Sequence, residues 1–121
     1  MFSVLIPTWN NLPYLKLCID SLRSYSEFEH EIMVHVNEGK DGTGEWLHEQ
    51  GISYSHTSIN IGICKALNLM ASHATRDYFL YLNDDMFVLP GWDTFLIRAI
   101  EQAQTDKFMI SSTCIALCVR Q

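Results

Sequence analysis

Short apolar runs alternate with segments whose apolar residues recur at helical spacing, and this alternation constrains the fold of the 121-residue chain more than any other feature. A repeated strand–helix–strand order is typical of a parallel sheet, because each helix returns the chain to the same end of the sheet. The pattern therefore predicts an α/β fold with a mostly parallel sheet and helices on both faces. Predicted strands cover residues 3–6, 32–36, 52–55, 78–82 and 108–117, and predicted helices cover about 12–25, 46–50, 61–72 and 92–103.

Residues that favour helix or strand ends stand at several of these boundaries. Pro7 is predicted to stop the first strand. Asn10 or Asn11 offers an N-cap for the first helix, and Pro13 suits its first turn. Gly51 is well placed to end the second helix.

Composition limits the classes of partner. The net charge of −6 argues against a nucleic-acid partner, because phosphate binding requires a basic surface. No apolar run approaches the ~18 residues that indicate a membrane span, and the start of the chain lacks the basic region of a signal peptide. A cytoplasmic location is expected, with buried free thiols rather than disulfides or a zinc site. The cysteines are Cys18, Cys64, Cys114 and Cys118, the last two in a run predicted to be core.

Polar residues follow three of the predicted strands at the points where those strands end. The three clusters are residues 7–10 (Pro-Thr-Trp-Asn), residues 37–39 (Asn-Glu-Gly) and residues 83–85 (Asn-Asp-Asp). In open parallel sheets, ligands bind beyond the carboxyl ends of the strands. The three clusters are therefore predicted to face one crevice.

Asp84 and Asp85 are adjacent carboxylates directly after an apolar strand. In a partly dry setting they repel each other, and a divalent cation would relieve that repulsion. Mg²⁺ or Mn²⁺ suits such a site, since both take carboxylate and substrate phosphate oxygens. The alternative is a simple turn, in which aspartate is also favoured. The strand context favours the metal.

Other polar residues near these ends have two interpretations each. Glu38 is a hydrogen-bond acceptor for a base or ribose, or a solvated turn carboxylate. Trp9 stacks on a base or is a loop aromatic. Asn60 suits an N-cap. Lys65 and Asn68 fall in a helix whose first turns would reach a diphosphate, although a solvated surface position is the simpler reading of Lys65.

Five motifs, in order along the chain, resemble those of family 2 glycosyltransferases with the GT-A fold, whose nucleotide-binding half is Rossmann-like. The resemblance covers about residues 3–110. The matching segments are residues 3–10 (SVLIPTWN), residues 37–43 (NEGKDGT), Asn60-Ile61-Gly62 with Ala66 and Asn68, Leu82-Asn83-Asp84-Asp85, and Pro90-Gly91-Trp92.

The resemblance implies a role for each matching position. Asp85 would ligate a Mn²⁺ or Mg²⁺ ion that bridges the donor diphosphate, with Asp84 contacting the metal, the ribose or the sugar. Glu38 matches the acidic residue that recognises uracil, so the implied donor is a uridine-type nucleoside-diphosphate sugar. The acceptor would be a hydroxyl of a glycan or lipid-linked molecule. The implied donor-binding residues are Pro7, Thr8, Trp9, Asn10, Asn37, Glu38, Asn60, Gly62, Asn68, Asn83 and Asp84.

The sequence also departs from the family pattern. Asn37 replaces an acidic residue, and Asn83 replaces the first aspartate of the D-x-D motif. No residue matches the family's general base, so none is assigned, and the chain is expected to be a single donor-binding domain that is incomplete at its C-terminus. It would be cytoplasmic or peripheral to the inner face of a membrane.

Two other functions fit parts of the sequence. A non-catalytic nucleotide-binding or interaction module would account for the short chain. A receiver-like phosphoacceptor domain also groups acidic residues at strand ends, but the first strand here ends in Pro7-Thr8, where a receiver places acidic residues.

Overall fold

A computed structural model of the protein describes residues 1–112. Four parallel strands form one sheet in the order β3-β2-β1-β4. The predicted α/β fold is confirmed, and strands and helices alternate as the apolar pattern indicates. The elements are β1 (Phe2–Trp9), α1 (Leu12–Tyr25), β2 (Glu31–Asn37), α2 (Thr43–Glu49), β3 (Ser53–Thr57), α3 (Gly62–Ala71), β4 (Tyr78–Tyr81) and α4 (Trp92–Gln102).

The central strand β1 has one apolar layer on each face. Alternate residues of a strand point to opposite faces. Val4 and Ile6 therefore lie in the apolar cluster that contains residues of α1 and α4, whereas Leu5 packs with Ala66 and Met70 of α3. Helices cover both faces of the sheet, as predicted, and this double burial explains why β1 is a continuous apolar run.

The structure corrects the predicted end of the first strand, because β1 continues through Pro7 to Trp9. Leu5 faces β4, since its carbonyl accepts a hydrogen bond from Leu82 N at 3.1 Å. Pro7 lies two residues further on, so it faces the same side, beyond the last β1–β4 pair at Leu5 and Tyr81. The missing N–H of Pro7 therefore interrupts no ladder hydrogen bond.

Helix α1 begins where predicted, but its cap differs. Asn11 is the N-cap residue and Pro13 lies in the first turn, yet the Asn11 side chain makes no capping hydrogen bond. Instead, Leu12 N donates to Asp41 Oδ2 at 3.0 Å, so the loop after β2 supplies the acceptor. Gly51 follows α2 with a φ of 66°, the left-handed conformation that commonly ends a helix.

The predicted fifth strand is wrong for residues 108–112, which have no regular secondary structure. A strand requires a hydrogen-bonded neighbour, and within the described residues no segment pairs with them. Phe108 instead packs its ring on Tyr78, with ring centroids 5.8 Å apart. The remainder of that predicted strand, with Cys114 and Cys118, lies outside the described residues.

Strand β4 is an edge strand in the described part of the chain, and it is more exposed than its apolar sequence suggests. Tyr78, Phe79 and Tyr81 are exposed by 39%, 57% and 45%. Among residues 1–112, no helix combines the length and the apolar character that crossing a membrane would require.

Candidate functional site

The three polar clusters at the strand ends meet at one edge of the sheet. Because the strands are parallel, the ends of β1, β2 and β4 point the same way. Thr8 Oγ1 donates to Asp84 Oδ2 at 2.6 Å, which joins the cluster after β4 to the end of β1. Asn10 Nδ2 lies 3.5 Å from Glu38 Oε2, which joins the end of β1 to the cluster after β2. The structure thus brings together the residues that the sequence places at three separate points.

Asn10 and Glu38 both have left-handed backbones, with φ of 47° and 62°. This conformation is uncommon for residues other than glycine and concentrates at functional sites. Asn10 Oδ1 accepts a hydrogen bond from Lys40 N at 2.9 Å, and His56 Nε2 lies 2.7 Å from the Glu38 carbonyl. These contacts hold the backbone of both residues in place beside each other.

Residues 83–86 form a tight turn after β4, closed by a hydrogen bond from Met86 N to the Asn83 carbonyl at 3.2 Å. The Asn83 side chain accepts a hydrogen bond from the Tyr81 hydroxyl. Asp84 is half-buried against Thr8, while Asp85 is exposed. In the described residues, no side chain or backbone group bonds to the Asp85 carboxylate, so its oxygens face solvent.

The buried end of β2 and the start of α3 are joined by polar contacts. Asn37 is only 4% exposed, and its Oδ1 accepts a hydrogen bond from Ile61 N at 2.9 Å. Asn60 stands one residue before the N-cap, and its Oδ1 accepts from Gly62 N at 2.8 Å. Asn37 and Asn60 therefore order the backbone at the start of α3, whereas Asn68 is exposed on the helix.

Trp9 and Pro7 differ sharply in accessibility. The Trp9 side chain is 56% exposed at the mouth of the site, so its indole is free to stack on a planar ligand. Pro7 and Thr8 are buried within β1. A ligand would therefore meet Trp9 directly and the two preceding residues mainly through their backbone.

A cleft of about 450 Å³ opens on the α2 side of Glu38. It shares Glu38 with the strand-end site but includes neither Asp84 nor Asp85, so it is separate from the acidic turn. Three glutamates and two histidines are among its lining residues, which are Val36, Glu38, Gly39, Gly44, Glu45, His48, Glu49, Tyr54 and His56.

The family model named Glycosyl transferase family 2 matches residues 3–115. The chain belongs to this family. The match spans all five motifs and all three strand-end clusters, so the family resemblance of the sequence is confirmed.

Solved glycosyltransferases share the fold of this family 2 chain. S. aureus TarS 1-349 has a TM-score of 0.76 at 21% identity, covering 87% of this chain and 33% of that chain. TarS 1-349 in complex with UDP-GlcNAc gives the same score and identity and is covered to 32%. Mannosyltransferase PcManGT from Pyrobaculum calidifontis, in complex with GDP-Man and Mn²⁺, has a TM-score of 0.73 at 21% identity, with 87% and 32% coverage. No curated protein matches the chain.

The family 2 chain spans about a third of the length of these structures. The similarity therefore concerns the part of each relative that contains the parallel sheet. At 21% identity it establishes the fold alone.

The residues at the acidic turn are suited to a divalent metal that is completed by its ligand. Within residues 1–112, no three His, Cys, Asp or Glu side chains gather closely enough to hold a metal by themselves. Mg²⁺ and Mn²⁺ are commonly held by one or two carboxylates together with substrate phosphates and water. The exposed Asp85 carboxylate and the adjacent Asp84 fit that kind of shared site.

Sequence reasoning missed two side chains that support the acidic turn. Tyr81 binds the Asn83 side chain, and the thiol of Cys18 donates to the Asn83 carbonyl at 3.7 Å. Burial, followed by the charges of Asp84 and Asp85, raises the pKa of Cys18 to about 12 and also raises the pKa of Tyr81. The role of Tyr81 is suggested by its position two residues before Asn83. No local sequence pattern indicates that Cys18, which lies on α1, contacts the Asn83 carbonyl.

The two cysteines of the described region are expected to differ in reactivity. Thiolate is the reacting species, and a pKa of about 12 lowers the thiolate population of Cys18 roughly a thousandfold below that of a typical exposed thiol. Cys64 is exposed. Brief iodoacetamide treatment followed by peptide mapping will modify Cys64 and leave Cys18 intact until the protein is denatured. Equal modification of both in the native protein would contradict this packing of α1 beneath the turn.

Proposed function

We propose that this chain provides the donor-binding part of a glycosyltransferase that moves a sugar from a nucleoside-diphosphate sugar to an acceptor hydroxyl. The observation that carries the proposal is the meeting of the three strand-end clusters, tied by the Thr8–Asp84 hydrogen bond. Membership of glycosyl transferase family 2 supports the reaction class. The complexes of structural relatives with UDP-GlcNAc and with GDP-Man and Mn²⁺ support the class of donor.

The donor diphosphate is proposed to lie at the turn of residues 83–85. Asp85 would bind Mn²⁺ or Mg²⁺ with its exposed carboxylate, and the donor phosphates would complete the coordination. Asp84 would contact the metal, the ribose or the sugar through the oxygen not bonded to Thr8. When bound, the metal would act as a Lewis acid that stabilises the departing nucleoside diphosphate.

The base is proposed to lie between the ends of β1 and β2. Trp9 is exposed for stacking, and the Glu38 carboxylate is a hydrogen-bond acceptor suited to the N–H of a uracil ring. The bond from Asn10 to Glu38 would keep that acceptor in place. A uridine-type donor is therefore the proposed choice.

The remaining donor contacts are proposed along the start of α3 and the turn before it. Asn37 and Asn60 would act through the backbone that they order, and Gly62 would allow close approach of the donor. Asn68 is exposed and can bond to the sugar or the diphosphate directly. The acceptor is proposed to be a glycan or lipid-linked hydroxyl, in the cytoplasm or at the inner face of a membrane.

Calorimetric titration of the purified chain with UDP, with and without Mn²⁺, tests the proposal. Binding that requires Mn²⁺ is expected for UDP, with weaker binding of GDP because Glu38 is matched to uracil. AMP serves as the control, since it lacks the diphosphate that would bridge to the metal. Failure of both UDP and GDP to bind in the presence of Mn²⁺ would overturn the assignment of the site.

A further inference from the structure

His35 is a fully buried titratable side chain that the proposed reaction does not use. It lies on β2, opposite Ser55 of β3 in the strand register, and has no solvent exposure. Its Nδ1 is 2.7 Å from Ser55 Oγ, and its Nε2 is 3.1 Å from Thr57 Oγ1. Both ring nitrogens are therefore bonded to hydroxyl groups of the neighbouring strand.

The direction of these hydrogen bonds follows from the hydroxyl of Thr57. That hydroxyl has one hydrogen, which it donates to the Ile59 carbonyl at 2.8 Å. Thr57 Oγ1 must therefore accept from His35, so Nε2 is protonated and Nδ1 accepts from Ser55. Burial lowers the pKa of His35, which is consistent with this neutral form. The result is a directed chain of hydrogen bonds from Ser55 through His35 and Thr57 to Ile59.

This series of hydrogen bonds ends in the short loop that precedes α3. The next contacts along the loop are Ile61 N to Asn37 Oδ1 at 2.9 Å and Gly62 N to Asn60 Oδ1 at 2.8 Å. His35 and Asn37 are two residues apart on β2, so they lie on the same face of the strand. His35 contacts the beginning of the loop through Thr57, and Asn37 bonds to the end of the loop at Ile61.

We propose that neutral His35 is a positioning residue for the donor site. Its Nε2–H fixes Thr57, and through Thr57 it sets the conformation of residues 58–61 and the entry into α3. This inference rests on the proposed function, which places Asn60 and Gly62 beside the donor. An apolar residue at position 35 would fill the space but leave the Ser55 hydroxyl without its acceptor. The Thr57 hydroxyl would keep its bond to Ile59 but lose the bond that ties it to His35.

Two substitutions separate the roles of the two ring nitrogens. In His35→Gln the side-chain amide nitrogen reaches about as far as Nε2, so the bond to Thr57 can be retained. In His35→Asn the side chain reaches only as far as Nδ1, so that bond is lost while polarity and burial are kept. With Mn²⁺ present, we expect UDP to bind His35→Asn about tenfold more weakly, an effect of the size of one buried hydrogen bond, and His35→Gln within about threefold of the wild type.

Two readouts are independent of any nucleotide. Nitrogen-15 NMR of the imidazole should show the Nε2–H tautomer for His35 in the wild-type chain. Amide hydrogen exchange at Ile61 and Gly62 should be faster in His35→Asn than in His35→Gln. Val34→Ala is the matched control, because it truncates a buried residue on the same strand but on the opposite face, away from the loop.

The outcomes distinguish this inference from the proposed function. An Nδ1–H tautomer, or equal loop exchange and equal UDP affinity in the two His35 variants, would overturn the positioning role. A loss of UDP affinity in Val34→Ala as large as in His35→Asn would reduce the effect to general stability and would also overturn it. If the wild-type chain binds no nucleotide, the proposed function fails, while the tautomer and the exchange rates still decide whether His35 anchors the loop.

Discussion

The free energy of unfolding of the Asp93→Ala variant is expected to be about 3–5 kcal/mol lower than that of the wild type, measured by urea denaturation at neutral pH. This is the largest effect on stability that we expect from one polar side chain in the described structure. Asp93 is completely buried at the start of α4, and its carboxylate accepts four hydrogen bonds.

The size of the effect follows from the number of donors that would lose their partner. Asp93 Oδ2 accepts from Glu27 N and Phe28 N, both at 2.9 Å, and from His30 Nε2 at 2.8 Å. Thr94 N donates to the other carboxylate oxygen at 3.0 Å. Because His30 Nδ1 accepts from a backbone N–H, its Nε2 carries the hydrogen that Asp93 receives. Alanine would leave these four donors without their shared acceptor.

The same carboxylate contributes a pH dependence of known sign. Burial alone would raise the pKa of Asp93, but hydrogen bonds from His30 and from the backbone of Phe28, Glu27 and Thr94 outweigh it and hold that pKa below its ordinary value of 3.8. The stabilisation is therefore complete above about pH 4 and is lost as the pH falls through the lower folded-state pKa. As the pH falls from about 4 to about 2, the free energy of unfolding should therefore decrease less for Asp93→Asn than for the wild type.

Asp20→Ala is the matched control, since Asp20 is an exposed carboxylate of α1 and a change there is expected to stay within about 0.5 kcal/mol. If Asp93→Ala does not fold well enough to measure, Asp93→Asn supplies the comparison with the same control. A change in the free energy of unfolding below about 1 kcal/mol in both Asp93 variants would mean that the hydrogen bonds of Asp93 do not anchor α4 to the loop before β2.

The fold was predictable because its determinants are local. The double-sided burial of β1 appears in the sequence as an unbroken apolar run, and the helical spacing of Leu15, Ile19 and Leu22 marks the buried face of α1. Parallel pairing then follows from the strand–helix order alone. The convergence of Thr8, Glu38 and Asp84 was predictable for the same reason, since parallel strands end at one edge.

Contacts between segments distant in sequence could not be predicted. Nothing near Asp41 indicates that it accepts from the first residue of α1, and nothing near Asp93 indicates that it binds the loop before β2. His35 occurs in an apolar run where only the β2–β3 register reveals its hydroxyl partners. Each of these contacts depends on how separate elements align, which spacing along one element does not specify.

The same reasoning explains the strand that is absent from residues 108–112. Its apolar composition is that of a strand, but a strand forms only when a neighbour is present to pair with it. In the described part of the chain β4 is exposed at the edge, and residues 108–112 do not pair with it, although the ring of Phe108 packs on that of Tyr78. Composition therefore identifies a candidate strand but not its partner.

Asp85→Ala is expected to remove the Mn²⁺-dependent part of UDP binding, with a loss of at least about 100-fold in affinity when the metal is present. The reason is that the described residues offer no cluster able to hold a metal without the ligand, so the proposed site depends on one exposed carboxylate and the phosphates. Without metal, UDP should bind both the variant and the wild type too weakly to measure, because the proposed site holds the diphosphate through the metal. Calorimetric titration with UDP, with and without Mn²⁺, makes both comparisons.

Asp77→Ala provides a control of equal charge, since Asp77 is an exposed carboxylate just before the opposite end of β4. Its UDP affinity should stay within about twofold of the wild type, which separates metal ligation from the general effect of net charge. Thr8→Val should have an intermediate effect on UDP affinity, because it removes the hydrogen bond to Asp84 but leaves Asp85 intact. UDP binding should still depend on Mn²⁺, at reduced affinity. Equal Mn²⁺ dependence in Asp85→Ala and the wild type would place the metal elsewhere or remove it from the site. A loss in Asp77→Ala as large as that in Asp85→Ala would show that charge alone, without coordination, accounts for the effect.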